Sequence, residues 1–284
     1  MSTNNTNENP NAMETYKNFR LPELSDTDAV DISAFTNDDL ADDMDGLNIN
    51  FKRIKIPSGG MVQFEIPGDD PENPDYAKHI EGIIVHNHDA CAYWEEGSEN
   101  EEDATPLCSS VNGKLGIGEP GGDCITCALN KFGSGANGKG KACKNMRILY
   151  ILQDGDMMPI QLNLPPTSKK PFSDFYNMAF ALRRRAAFGS VVQLGLKKVE
   201  NGNTYSVATF KKLYDFSGEQ LAGVKAYAEG FKNTIKIMNQ HRSADAISRA
   251  DDTPVYYGEE GNGSRNYISS PGGVINGDTD ELPA

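Results

Sequence analysis

Long apolar runs are missing from this sequence. No stretch of 18 apolar residues occurs in its 284 residues, so no transmembrane helix is expected. The opening MSTNNTNENPNAMETYKNF has neither a basic n-region nor an apolar h-region and does not read as a secretory signal. The expected compartment is the reducing cytosol, where clustered cysteines hold metal more often than they pair as disulfides. GxSxG, the P-loop and HExxH are all absent, and no catalytic constellation stands out. The sequence also lacks CxxCH, which excludes c-type haem attachment, and it has no internal repeat.

Charge is present but unevenly spread. Residues 1–50 carry 11 acids and 2 bases, and residues 51–104 carry 13 acids and 4 bases. Residues 105–250 carry 10 acids and 20 bases, and residues 251–284 carry 7 acids and 1 base. A basic centre between acidic ends points to a polyanionic partner; the plainer reading is a solvated surface with acidic solubility tails. Residues 1–45 and 251–284 are polar and poor in large apolar residues, so they read as disordered acidic segments. The expected organisation is a disordered N-terminal segment (1–45), a core (46–250) and a C-terminal tail (251–284).

Within the core the pattern is of short strands with two helices. FKRIKIP (51–57), MVQFEIP (61–67) and HIEGIIVHNH (79–88) read as strands, as do RILYILQ (147–153) and MPIQLNL (158–164). SVVQLGLKKV (190–199) and TYSVATFKKLY (204–214) flank ENGN, an Asn-Gly hairpin signal. The expected fold class is mainly β with two helices (α+β), a small β-barrel. The first helix carries the stripe Phe172, Phe175, Tyr176, Ala179 and Leu182, with Arg183, Arg184 and Arg185 expected in its last turn. The second opens with Ser217 and Gln220 at capping-box spacing. Its stripe is Leu221, Val224, Ala228, Phe231 and Ile235.

Four cysteines fall as C-x15-C-x2-C-x15-C: Cys108, Cys124, Cys127 and Cys143. CxxC puts two thiolates within reach of one tetrahedral ion. The Gly-rich sequence between the cysteines has too few apolar residues for a core of its own. A zinc ion would supply that energy, on the order of 10 kcal/mol or more. The expectation is one structural zinc ion in a 105–144 module, with a redox dithiol or an iron–sulfur cluster as the other uses of such a set. Cys91, His86 and His88 form either a second metal site, a replacement ligand for the first, or a buried thiol beside strand-end histidines.

Bases and rings interleave through the basic centre. Lys139, Lys141, Lys144 and Arg147 follow the cysteine module, and Lys169 and Lys170 begin the first helix. Lys197, Lys198, Lys211 and Lys212 lie on the hairpin, and Arg183, Arg184 and Arg185 follow the first helix. The aromatic candidates are Trp94, Phe132, Tyr150, Tyr205 and Phe210, with Tyr93 and Tyr214 beside them. Cations for phosphates and rings for stacking are the two needs of single-strand binding. For any one ring, a place in the core is the plainer reading.

A β-barrel pattern with a cysteine module, a basic centre and an acidic tail resembles the bacteriophage replicative single-stranded-DNA-binding proteins, most closely their zinc-containing helix-destabilising type. The resemblance is of organisation over residues 51–284. It implies an OB-fold core that coats single-stranded DNA in replication and recombination, sequence-nonspecifically and without enzymatic activity. It also implies a tail that recruits replication proteins, and a phage- or mobile-element-encoded protein acting in the host cytoplasm. Two other readings stay open. One is a zinc-ribbon accessory factor binding protein or duplex DNA. The other is a metal-dependent nuclease drawing on the acidic runs DDPENPD and EEGSENEED.

Overall fold

Residues 79–93 combine Ile80, Ile83, Ile84 and Val85 with polar residues, and they form one 15-residue strand. The computed structural model describes residues 16–22, 51–68, 73–95 and 106–251. In chain order the strands are β1 (Arg53–Ile54), β2 (Phe64–Ile66), β3 (Asp75–Ala77), β4 (His79–Tyr93), β5 (Cys108–Ser110) and β6 (Leu115–Gly118). They continue with β7 (Gly122–Asp123), β8 (Lys144–Leu152), β9 (Ile160–Leu164), β10 (Ser190–Asn201) and β11 (Asn203–Asp215). Helix α1 (Pro166–Ala179) follows β9, and α2 (Gly218–Asp251) follows β11. Among the described residues the fold is therefore mainly β, with these two long helices. No helix among the described residues is long and apolar enough to cross a membrane.

The length of β4 lets the sheet fork. Along one edge it pairs antiparallel with β8, from Ile83↔Leu152 to Ala92↔Lys144. Along the other, its start pairs with β10 and its end with β5. The order is β1–β9–β8–β4, then either β10–β11 or β5–β6–β7. The Asn-Gly hairpin forms as expected, with Gly202 at φ 73° and β10 and β11 in register from Asn201↔Asn203 upward.

The expected barrel is not closed: among the described residues no ladder joins β11 to the β1–β2 region. Pro57 and two glycines at positive φ, Gly59 and Gly60, interrupt that region. In place of a ladder, Ser206 Oγ donates to the Met61 carbonyl at 2.6 Å.

Alternate residues of each strand face opposite sides, and both sides are covered. On the first face Ile80, Ile84, Leu149, Ile151, Leu162, Leu164, Leu194 and Ala208 pack with Phe172 and Phe180, at α1 and its end. Ser168 is buried, and its Oγ accepts from the Ala208 N–H at 3.0 Å, tying α1 to β11. On the second face Ile83, Val85, Tyr150, Leu152 and Val191 pack with Phe216 and with Val224, Ala228, Phe231 and Ile235 of α2. Each buried Val, Leu, Ile or Phe among them is worth about 1.5–3 kcal/mol.

Three expectations need correction. First, residues 16–22 do not behave as a disordered segment. Phe19 is buried in the second core, Tyr16 donates to Glu81, and Gln220 of α2 donates to the Tyr16 and Lys17 carbonyls. Secondly, Gln220 is therefore spent on that segment, and no capping box with Ser217 forms. Thirdly, α1 ends at Ala179, before the arginines. Phe180 leaves helical geometry, Arg184 is left-handed at φ 51°, and Leu182 is 80% exposed. Residues 1–15, 23–50 and 252–284, which include most of both acidic ends, lie outside the described residues.

Candidate metal centre and nucleic-acid interface

The cysteine segment is built on polar contacts. Asn112 Oδ1 accepts from the Lys114 and Leu115 N–H groups at 2.8 and 3.1 Å, turning β5 into β6. Asp123 Oδ1 accepts from the Ile125 N–H at 2.9 Å, shaping the turn that carries Cys124 and Cys127. Cys143 N–H donates to the Leu129 carbonyl at 2.9 Å and fixes the last cysteine. Ile125 and Phe132 are 78% and 83% exposed, so the segment has little apolar interior.

The sequence-predicted cysteines come together. Cys108, Cys124, Cys127 and Cys143 line one cavity of about 10 Å³, and Cys91 lines it too. All five are free thiols. A Cβ on Gly116 would stand 3.0 Å from Cys108 Sγ, a tight contact that would require that sulfur to shift by a few tenths of an ångström. The Cys91 thiol has one proton to share between Asn145 Oδ1, at 2.9 Å, and Cys143. Its hydrogen bond to Cys143 lowers the Cys143 pKa below the ordinary thiol value and raises its own. Burial pushes Cys108 and Cys124 up, against hydrogen bonds from the Gly121 backbone and the Ser110 side chain.

Among the described residues no three His, Cys, Asp or Glu side chains already form a metal group. Cys91 is hydrogen-bonded to Cys143 and to Cys124. An all-sulfur donor set is of the chemical kind that suits zinc.

The face of β4 decides what Cys91 belongs to. Asn87, Asp89 and Cys91 stand on the first face, opposite Leu149, Arg147 and Asn145 of β8. His86 and His88 stand on the second face, their ring centroids 5.5 Å apart and both beside Tyr150. The strand therefore separates the histidines from Cys91.

A polar strip runs along the first face from the cysteine segment to α1. Lys141 Nζ and Asn145 Nδ2 both donate to Asn130 Oδ1, at 3.1 and 2.8 Å. Two residues further along β8, Arg147 donates to Asn87 and lies 3.3 Å from Asp89 Oδ1. Lys169 of α1 reaches the same Oδ1 at 3.0 Å. Partial burial works against the Asp89 charge, but Lys169 and Arg147 outweigh it and hold the carboxyl below its usual range. Beside them a cavity of about 280 Å³ opens between α1 and the sheet, lined also by Phe172, Ser173, Tyr176 and Asn177.

Other predicted residues lie elsewhere. Lys139 is exposed near the tip that carries Phe132, and Lys144 and Trp94 are half-buried. Lys170 pairs with Asp174, Lys198 with Glu200, and Lys212 with Asp215. Exposed Lys197 and Lys211 share the second face with half-buried Tyr205, away from the strip. Arg183 and Arg184 are exposed. Arg185 turns inward instead, donating to the Gly189 carbonyl at 2.8 Å and to the Phe216 carbonyl. Its Nε lies 3.3 Å from Asp215 Oδ1 but outside hydrogen-bond geometry. Tyr150 is a core residue, 5% exposed and set against Phe51 and Phe231. Phe210 packs against Phe172 and Phe175. The structure leaves neither of these two rings as an open platform.

Comparison with protein-family models, with curated proteins and with solved structures found no match. Sequence reasoning did not single out Ser173 and Asn177, and took Tyr176 only as part of an apolar stripe. Their spacing with Lys169 and Phe172 was the available signal, since 169, 172, 173, 176 and 177 repeat at i, i+3, i+4, i+7 and i+8, one helix face.

Proposed function

We propose that this protein binds single-stranded DNA without sequence preference along the first-face strip. On this reading Cys108, Cys124, Cys127 and Cys143 hold one structural zinc ion at one end of that strip. The reading rests on one observation above others: Arg147 of β8 and Lys169 of α1 converge on Asp89 beside half-buried Tyr176, with Lys141 further along the same strip at its cysteine end. Cationic side chains meet phosphates there, and rings and amides meet bases. A zinc ion would neutralise the thiolates and fix the Gly-rich segment from which Lys139, Lys141 and Phe132 project. The sheet is then OB-like, its barrel open where Ser206 meets the loop carrying Met61. The protein acts by coating the strand in the cytoplasm during replication or recombination, and its acidic C-terminus recruits other replication proteins.

The test is a titration with matched single- and double-stranded oligonucleotides, with and without magnesium. Preferential binding of the single strand, without cleavage, is the expected result. Preference for duplex would favour an accessory factor, and magnesium-dependent degradation a nuclease. On the single strand, log affinity should fall linearly with log salt, by about 0.7 per phosphate contacted. Replacing Lys139, Lys141 and Lys144 together should flatten that slope, and an unchanged slope would move the path away from the cysteine segment.

A further inference from the structure

The cavity between α1 and the β4–β8 ladder has a construction that simple charge attraction does not require. Its helical wall is a single face, Lys169, Phe172, Ser173, Tyr176 and Asn177. Its sheet wall is Asp89 and Arg147. Lys169 Nζ and Arg147 Nη1 converge on one oxygen, Asp89 Oδ1, at 3.0 and 3.3 Å. The carboxylate thus stands where an anionic oxygen can be held by two cations at once. Arg147 is further fixed by Asn87, so its guanidinium is set before any ligand arrives. The volume of about 280 Å³ is close to the small end of ligand pockets.

We propose that this cavity takes one nucleotide, its phosphate held between Lys169 and Arg147 and its ring set against Tyr176. Ser173 and Asn177 offer a hydroxyl and an amide from the same helix face to the sugar or base edge. The proposal deepens the single-strand reading and rests on it: the cavity is the point where the strand is gripped rather than merely attracted. Asp89 holds the two cations in place while the cavity is empty. An incoming phosphate must share them with that carboxylate or displace it, which keeps the grip reversible. The chemistry is that of a nucleoside monophosphate, free or within a strand.

The test places one negative charge inside the cavity and the same charge outside it. Ser173 is exposed on the cavity wall, whereas Met178, 71% exposed, lies about half a helical turn away on the opposite side of α1. Full-length wild type, Ser173→Glu and Met178→Glu are titrated with an oligothymidylate, their folding checked by circular dichroism and melting. Ser173→Glu should weaken binding at least about tenfold, and Met178→Glu at most about threefold, the scale of one lost contact against a screened surface charge. Equal weakening by both variants would overturn the pocket while leaving single-strand binding intact. Wild type that binds no oligonucleotide at any salt would instead sink the single-strand reading. Lys169→Gln gives an independent variant, expected to weaken binding where Lys170→Gln, one residue outside the cavity, does not; equal effects would likewise count against the pocket. Thymidine monophosphate at millimolar concentration separates the sources. Competition that Ser173→Glu abolishes identifies a site for free nucleotides. Strand binding that is sensitive to Ser173→Glu, with no such competition, identifies a site that needs the strand.

Discussion

At the scale of single residues, side chains of the same type have been given different work. Cys91 and Cys143 share a hydrogen bond, yet only Cys143 belongs to the symmetric C-x15-C-x2-C-x15-C set. If the four-cysteine set holds zinc, Cys124→Ser should lose the metal and unfold the segment around it, because binding and folding are coupled. Cys91→Ser should keep about one zinc per chain. Metal analysis of the purified variants decides this, and loss of zinc from Cys91→Ser would place that cysteine among the ligands. The three consecutive arginines divide in the same way. Arg185 satisfies two carbonyls, so Arg185→Ala should cost about 2 kcal/mol of stability. Most of that comes from the carbonyl hydrogen bonds rather than from the partly exposed Asp215 pair. Arg183→Ala with Arg184→Ala should leave the melting temperature nearly unchanged, and a loss of single-strand binding in that variant would extend the path beyond the first-face strip to the end of α1. Chemical denaturation and DNA titration of both variants would expose the opposite assignment if it held.

At the scale of elements, the seam between α2 and the second face is where pH should act. Burial pushes the His86 pKa down to about 4, helped by the charges of His88, Lys232 and Arg147. In the unfolded chain a histidine titrates near 6.5. As pH falls the unfolded state therefore takes up the proton first. Stability from a neutral His86 is present above about 6.5 and is lost as pH falls toward about 4. Melting temperatures at pH 7.5 and 5.5 should fall for wild type and fall less for His86→Gln; parallel curves would reject the assignment. This seam also marks how far the elements were legible. The Asn-Gly hairpin and the α2 stripe follow from local chemistry, and both form. The strand read over 79–88 stops short of Tyr93 because the charged Asp89 interrupts the run there. Asp89 is a strand residue because β8 pairs with it and Lys169 and Arg147 neutralise it, and both are tertiary facts. The convergence of the four cysteines was legible from spacing alone. The approach of Cys91 was not, because it depends on β4–β5 pairing.

At the scale of the whole molecule, the charge asymmetry is the property that a strand would meet first. Residues 251–284 hold 7 acids against 1 base, and residues 105–250 hold 20 bases against 10 acids. A polyanion tethered to a cationic strip competes with DNA from within the same chain. Tethering over a few tens of residues sets an effective concentration in the millimolar range, enough for weak contacts to matter. Salt weakens contacts to the tail and to DNA together, so the competition should be strongest at low ionic strength. We predict that truncation after Ala250 raises affinity for single-stranded DNA at low salt and changes it little at high salt. The acidic N-terminus could take the tail's place, so its contribution needs separate removal. A cut at residue 46 would also delete Phe19 from the second core and the Tyr16 contact with Glu81, confusing lost charge with lost stability. The 1–250 chain, with and without the nine acids of residues 23–45 replaced by Asn and Gln, avoids this, and the neutralised version should bind tightest if both ends compete. The titration compares these two with the full chain on one oligonucleotide at low and high salt. Equal affinities at low salt would reject competition and leave the tails to solubility or to the recruitment of partners.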